Sequence, residues 1–397
     1  MMLSRKIQNI SESLTLVIDA KAKKMAGEGQ DIIGFGAGEP DFSTPDFVIQ
    51  AAKEGLDKGL TRYTPSSGTL QLRQAICRKL ERDNQIKYSP EEIIVSNGAK
   101  HSLYNVFQAI LNPGDEVIIP QPYWLSYPEM VKMADGIPVF IDTKEENSFK
   151  PTIEELKMAL TPKTKAFILN NPCNPNGCVY KHAELAAIAD LAIEREFFII
   201  SDEIYEKLIY DGMKHISIAS LNEKVKSLTL TINGMSKAYA MTGWRIGYTA
   251  GPKEVIKVMG NLQSHSTSNP NSIAQYASTT ALDAPKDEIK AMVEEFNRRR
   301  LYMVNRINDI PYLSCELPKG AFYIMMNIKQ ALGKRYDDIL INSSLDFADL
   351  LLEAQKVTVV PGIAFGADNY VRLSYAVSME QIQRGLDRIE QFMAELE

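Results

Sequence analysis

The stretch Asn233 to Tyr248 reads NGMSKAYAMTGWRIGY and sets Ser236, Lys237 and Arg245 among glycines and small side chains. A lysine packed against small and apolar neighbours loses solvation, which disfavours its charged form and lowers its pKa. Such an amine can attack a carbonyl and form a Schiff base. Arg245 stands just before an apolar run, Ile246 to Ala250, that predicts a strand, and its guanidinium suits a phosphate. Most lysines are solvated surface groups. The pair therefore gains weight only from what the rest of the chain places beside it.

Working outward, short apolar runs alternate with amphipathic ones. Strands are predicted at Ile93 to Ser96, Glu116 to Pro120, Ile137 to Asp142, Thr164 to Leu169, Phe197 to Ser201, Ser227 to Ile232 and Arg245 to Ala250. Helices are predicted between them, for example over Lys100 to Leu111, Ile153 to Leu160 and His182 to Arg195. This alternation predicts an α/β fold whose mostly parallel, seven-stranded sheet is flanked by helices. Sites in such sheets lie beyond the carboxyl ends of the strands. After about residue 285 the pattern changes to a long charged helix, Asp287 to Ile307, followed by shorter elements at Ala321 to Ile328, Val357 to Pro361 and Val371 to Tyr375, and a helix from Met379. We expect an N-terminal arm and part of a small domain over 1–44, a large cofactor-binding domain over 45–288, and a small α+β domain over 289–397, built from both termini.

Composition narrows the class. The chain has 397 residues, 45% hydrophobic and 24% charged, which is ordinary for a globular protein. A net charge of -6 argues against nucleic acid or an anionic membrane as partner. No apolar run approaches the roughly 20 residues of a membrane helix, and MMLSRKIQNISES has no signal-peptide core. Cys77, Cys173, Cys178 and Cys315 fit neither a disulfide scaffold nor a zinc pattern, so we expect reduced thiols, a cytoplasmic protein and no metal.

Four strand ends carry polar groups. Ser96-Asn97-Gly98-Ala99-Lys100 makes a small-residue turn into a helix, where free N–H groups and the helix dipole favour an anion; an ordinary tight turn reads equally well. Asn170 to Gly177, NNPCNPNG, is held by two X-Pro bonds and could aim Asn174. Asp202-Glu203-Ile204-Tyr205 ends another strand. An acid there needs a partner, which a protonated pyridine nitrogen would supply; a helix-capping aspartate is the plain alternative. Tyr205, three residues on, would face the same way on a helical turn and could bond a ring hydroxyl. The fourth end holds Lys237 and Arg245. Together these match the polar groups of pyridoxal 5′-phosphate.

Two segments concern substrate. Val371-Arg372-Leu373-Ser374 buries a guanidinium in an apolar strand, where a substrate carboxylate or an internal salt bridge would satisfy it. Gly34 to Phe42, GFGAGEPDF, has dinucleotide-like glycines, but its G-x-G-x-G spacing and Pro40 exclude a nicotinamide loop. Glycine there suits close approach to a ligand.

The motifs GAGEPDF, RYTPSSG, NPCNPNG, DEIY, SKAYAMTGWRIGY and VRLSYA occur in one order along essentially the whole chain. In that order the chain resembles the class I (fold type I) pyridoxal-phosphate aminotransferases, close to the bacterial aspartate aminotransferase branch. The resemblance implies that Lys237 forms the Schiff base and shuttles a proton. It pairs Asp202 with the ring nitrogen, sets Tyr205 and Asn174 on the ring hydroxyl, and stacks Trp124 on the ring. Gly98, Ala99, Ser236 and Arg245 would hold the phosphate, joined by Tyr63 from a neighbouring subunit. Arg372 and the backbone of Gly38 would hold the substrate α-carboxylate. Lys100 would meet a distal carboxylate, with Ser13 and Thr15 nearby. A homodimer with shared sites and a ping-pong exchange between L-aspartate and 2-oxoglutarate follow. The chain departs from the family at Asn176, where a threonine is common, and at Ser11-Glu12, where relatives that use prephenate tend to carry a basic residue. Aromatic or alanine donors and a prephenate-using enzyme remain the alternatives within the fold. Outside it stands a non-catalytic effector domain, which the acidic charge disfavours.

Overall fold

The computed structural model describes residues 3–284 and 287–397. Its main sheet is built from β1 (Ile93–Ser96), β2 (Glu116–Gln121), β3 (Ile137–Asp142), β4 (Thr164–Asn170), β5 (Phe198–Asp202), β6 (Thr229–Gly234) and β7 (Gly247–Ala250). The spatial order is β1-β7-β6-β5-β4-β2-β3. Every pairing is parallel except those of β7, which runs antiparallel to β1 and β6. Side chains alternate between two cores. Ile93 and Val95 of β1 pack with Leu72, Ile76 and Met235, while Ile94 packs with Leu103, Phe107 and Met259. Burial on both faces is why these strands read as continuous apolar runs.

A second sheet orders β8 (Tyr323–Asn327), β9 (Val360–Pro361) and β10 (Tyr370–Ser374) as β9-β10-β8, all antiparallel. Its core joins Phe322, Phe347, Leu386 and Phe392 to Ile33 and Phe35 from the start of the chain, and to Tyr205 and Leu208 after β5. The stretch read as one element, Val357 to Pro361, is two strands. Val357–Thr358 pairs in parallel with Ile33–Gly34, whereas Val360–Pro361 turns to β10. Two partners on different sides divide a run that looks uniform in sequence. The charged helix spans Asp287–Asp309, and the last helix Met379–Ala394. Among the described residues, no helix is long and apolar enough to cross a membrane.

Candidate active site

A cleft of about 600 Å³ opens at the carboxyl ends of β4, β5 and β6, and residues 36–39 and Arg372 close its other side. Thirteen of the fifteen residues expected above stand in or beside it. Gly38, Ala99, Lys100, Trp124, Asn174, Asp202, Tyr205, Ser236, Lys237, Arg245, Arg372 and Thr15 line it. Gly98 lies directly behind, as the N-cap of the helix Ala99–Ile110. Ser13 is set back and bonds Thr15, hydroxyl to hydroxyl, at 2.9 Å. Tyr63 is elsewhere, 92% exposed to solvent.

Lys237 donates from Nζ to the Gly38 carbonyl. Burial in the cleft brings its ammonium down to about 8, helped by the Arg372 and Arg245 charges and opposed by Glu39 and Asp202. A substantial fraction of the amine is therefore neutral near physiological pH. Asp202 shows the opposite displacement. Burial raises its carboxyl to about 6, although the Tyr127 hydroxyl donates to Oδ2 at 2.7 Å and the Ile204 amide to Oδ1 at 3.2 Å. The Ile204 contact belongs to a tight turn after β5, not to a helix N-terminus, so the capping alternative is not realised. Tyr205 follows on that same non-helical turn, against the expected helical one, and its hydroxyl lies 2.9 Å from that of Tyr323.

The phosphate-like corner combines a helix end with a guanidinium. Gly98 has φ of 86°, and a Cβ there would strike the Arg245 guanidinium. A side chain on Gly247 would likewise meet the backbone of Gly98 and Ala99, so these two glycines let β7, the helix end and Arg245 converge. Arg245 itself lies outside the strand predicted to begin with it. Its φ is 59°, β7 starts at Gly247, and its guanidinium donates to the carbonyls of Thr242 (2.8 Å) and Asn97 (3.2 Å). The left-handed backbone turns Arg245 out of the sheet and into the corner.

Arg372 is buried. Nη1 donates to Asn174 Oδ1 at 3.0 Å and Nη2 to the Gly36 carbonyl at 3.1 Å, while Nε has no protein partner. Among the described residues no carboxylate pairs with it, so the internal salt bridge is absent. The bond from Arg372 also fixes the Asn174 amide, leaving Nδ2 as the donor. Lys100 sits with Nζ 4.9 Å from the Trp124 ring centre, and burial followed by repulsion from Arg245 lowers its pKa. Sequence reasoning passed over Tyr127, although it follows Trp124 by three residues at a helix start. It also passed over Tyr323, which reads as one more apolar strand residue.

These groups fit pyridoxal phosphate on the chemistry of the donor set: a depressed amine, a buried carboxylate, two hydroxyl or amide donors, and an anion corner. Residues 30–389 match the family described as aminotransferase class I and II. The chain belongs to that family. Membership makes it an aminotransferase and implies dependence on pyridoxal 5′-phosphate. It is 48% identical over 394 residues to the aspartate aminotransferase of Bacillus subtilis, covering 99% of each chain. It is 45% identical over 397 residues to the aspartate/prephenate aminotransferase of Nitrosomonas europaea, covering 99% of this chain and 100% of that one. The crystal structure of the aspartate aminotransferase from Rhizobium meliloti superposes with a TM-score of 0.97 at 43% identity, covering all of both chains. The fold described above is thus that of an α/β aminotransferase with a mostly parallel seven-stranded sheet.

Proposed function

We propose that this aminotransferase exchanges the amino group between L-aspartate and 2-oxoglutarate in a ping-pong cycle. The observation that carries the substrate class is Arg372: a buried guanidinium with an open Nε, no carboxylate of its own, and a place in the same cleft as Lys237. A bidentate α-carboxylate satisfies it. Lys100 then meets a second carboxylate, which favours dicarboxylic substrates. Gly38 and Trp124 complete the substrate's surroundings, and Ser13 and Thr15 stand at the edge.

When bound, pyridoxal phosphate supplies an electrophilic carbon and a ring that withdraws electrons. Lys237 would hold that carbon through Nζ, and the same amine, when free, would take the proton from the substrate Cα as a general base. Asp202 would hold the ring nitrogen in its protonated form, while Tyr205 and Asn174 Nδ2 would hold the ring hydroxyl, and Trp124 would stack on the ring. Ser236, Arg245 and the amides of Gly98 and Ala99 hold the phosphate.

Tyr63 serves the phosphate of a partner subunit in a homodimer. Its own exposure supports this, as does that of Leu56 (55%) and Leu70 (47%) in neighbouring segments. The division at 1–44, 45–288 and 289–397 separates a cofactor platform from a unit carrying Arg372, and four free thiols suit the cytoplasm. A second reading adds prephenate as an oxo-acid acceptor. It is favoured by the aspartate/prephenate names among relatives, while Ser11-Glu12, in place of the basic residue such relatives tend to carry, weighs against it.

A half-reaction tests both readings. The yellow holoenzyme is mixed with aspartate, glutamate, alanine or phenylalanine, and the cofactor's visible band is followed. Rapid bleaching by aspartate and glutamate, reversed by 2-oxoglutarate, is expected. Recovery by prephenate after glutamate would add the second acceptor. Preference for alanine or phenylalanine would remove the role given to Lys100.

A further inference from the structure

Tyr323 has no role in the reading above, yet it touches both halves of the site. It is 1% exposed and sits on β8 opposite Ser374 of β10, with Arg372 opposite Met325. Tyr323 and Arg372 are thus diagonal neighbours on one face of the sheet, within reach of each other. The Arg372 guanidinium lies 4.3 Å from the Tyr323 ring centre. The Tyr323 hydroxyl meets that of Tyr205 at 2.9 Å and stands where a side chain on Gly38 would touch it, and the Gly38 carbonyl takes the Lys237 ammonium.

We infer that Tyr323 is a positioning residue that ties the cofactor-side hydroxyl of Tyr205 to the carboxylate-binding guanidinium of Arg372. The inference rests on the proposed placement of pyridoxal phosphate against Tyr205. Two phenols facing each other share one hydrogen bond, and each has one proton to give. The cation over the Tyr323 ring makes that phenol the better donor. Tyr205 is then the acceptor, and its own proton is directed elsewhere, to the ring oxygen of the cofactor. An O–H that also accepts a hydrogen bond is a stronger donor. Tyr323 thereby strengthens the grip of Tyr205 on an anionic ring oxygen, while its ring face steadies Arg372. An aromatic that merely filled the core would need the ring alone. The hydroxyl, aimed at Tyr205 in a buried setting, is what that plainer role leaves unexplained.

The test separates hydroxyl from ring. In the Tyr323→Phe holoenzyme, the pH midpoint of the visible-band change should rise by about half a unit or more, as the ring oxygen loses part of its stabilisation. Affinity for succinate, an unreactive dicarboxylate, should stay within about twofold, because the ring under Arg372 is kept. Tyr323→Leu removes both, and should shift the midpoint and also weaken succinate by about five- to tenfold. Tyr205→Phe should abolish any further effect of Tyr323→Phe in the double variant. A Tyr323→Phe midpoint equal to that of the parent overturns the inference. So does a shift that persists undiminished in the Tyr205→Phe background. A parent chain that develops no visible band with pyridoxal phosphate would remove the cofactor placement itself, a failure distinct from an unmoved midpoint in a normal yellow enzyme.

Discussion

Two buried acids, Asp202 at the end of β5 and Glu206 on the turn beyond it, are managed in opposite ways. Among the described residues, Asp202 faces the cleft with no ion pair, and Arg372 across from it has no carboxylate. A few residues on, Glu206 is equally buried but is met by Lys79 and, at 3.8 Å, by Lys207. Asn84 joins the same cluster, donating to Glu206 at 2.9 Å and accepting from Lys79 at 2.8 Å, and Lys207 pairs with Asp83 at 2.8 Å. Burial alone would raise both acids. It takes Asp202 to about 6, whereas Lys79 and Lys207 overturn it at Glu206 and hold that carboxyl near 2. The matched cluster is finished within the protein. The cleft is left incomplete, in a form that a cofactor and a substrate complete. The same contrast explains why Glu203, Glu206 and His215, close enough to suggest a cation site, carry none of the chemistry: the Lys79 ammonium already neutralises Glu206, and Glu203 is taken up by Ser201, Ser217 and His215.

The sharpest way to break this comparison is to remove the group on which the cleft converges. Lys237→Ala should lose at least about five orders of magnitude in turnover while keeping its fold. Single-turnover assays with aspartate check this, and a variant of near-normal rate would end the assignment. The matched cluster should respond in the other currency. Lys79→Met leaves Glu206 with only the more distant Lys207 and Asn84, and should cost about 3 kcal/mol of stability, read from denaturant midpoints, with the pH midpoint of the holoenzyme's band unmoved.

Asp202→Asn sharpens the contrast further, because it should stabilise the cofactor-free protein. A carboxyl raised from 3.8 to about 6 makes the native state hold its proton more tightly than the unfolded chain does. Its contribution is fully present below pH 3.8 and is lost as pH rises through about 6. Above that, the wild type carries a penalty of about 3 kcal/mol that asparagine lacks. Chemical denaturation at pH 8 and pH 4 should show the gain at the first and little at the second. Lys100→Ala has the smallest effect, a fall of about tenfold in kcat/KM for aspartate relative to alanine. Equal losses for both donors would place Lys100 on the cofactor side instead.

Much of this was legible in sequence because parallel strands covered on both faces must be apolar throughout. The seven strands fall within two residues of their predicted bounds. The groups at their carboxyl ends are equally legible, since each strand end is a fixed address in such a sheet. The second sheet and the strands beside it were harder to read. Ile33–Gly34 pairs with Val357–Thr358 at a separation no local pattern encodes, and this pairing is what split one expected strand into two. Arg245 was misplaced because a left-handed residue leaves no trace in hydrophobic periodicity. Tyr127 and Tyr323 escaped because an aromatic beside a functional group looks like any core aromatic until the partner's position is known. The division into three segments and the role of Tyr63 depend on relations between units and between subunits, which one chain's pattern does not carry.

The pairing of Ile33–Gly34 with Val357–Thr358 also sets a schedule. On the ribosome the main sheet, Ile93 to Ala250, emerges whole and can fold as a unit. The strand near the N-terminus waits unpaired until more than three hundred further residues have been made, although the entropy of closing so long a loop grows only slowly with its length. Gly36 and Gly38, next along from that strand, reach Arg372 and Lys237 in the finished fold. If the site works as proposed, the newborn chain possesses its cofactor platform well before it can grip a substrate, because Arg372 lies on the last strand it makes.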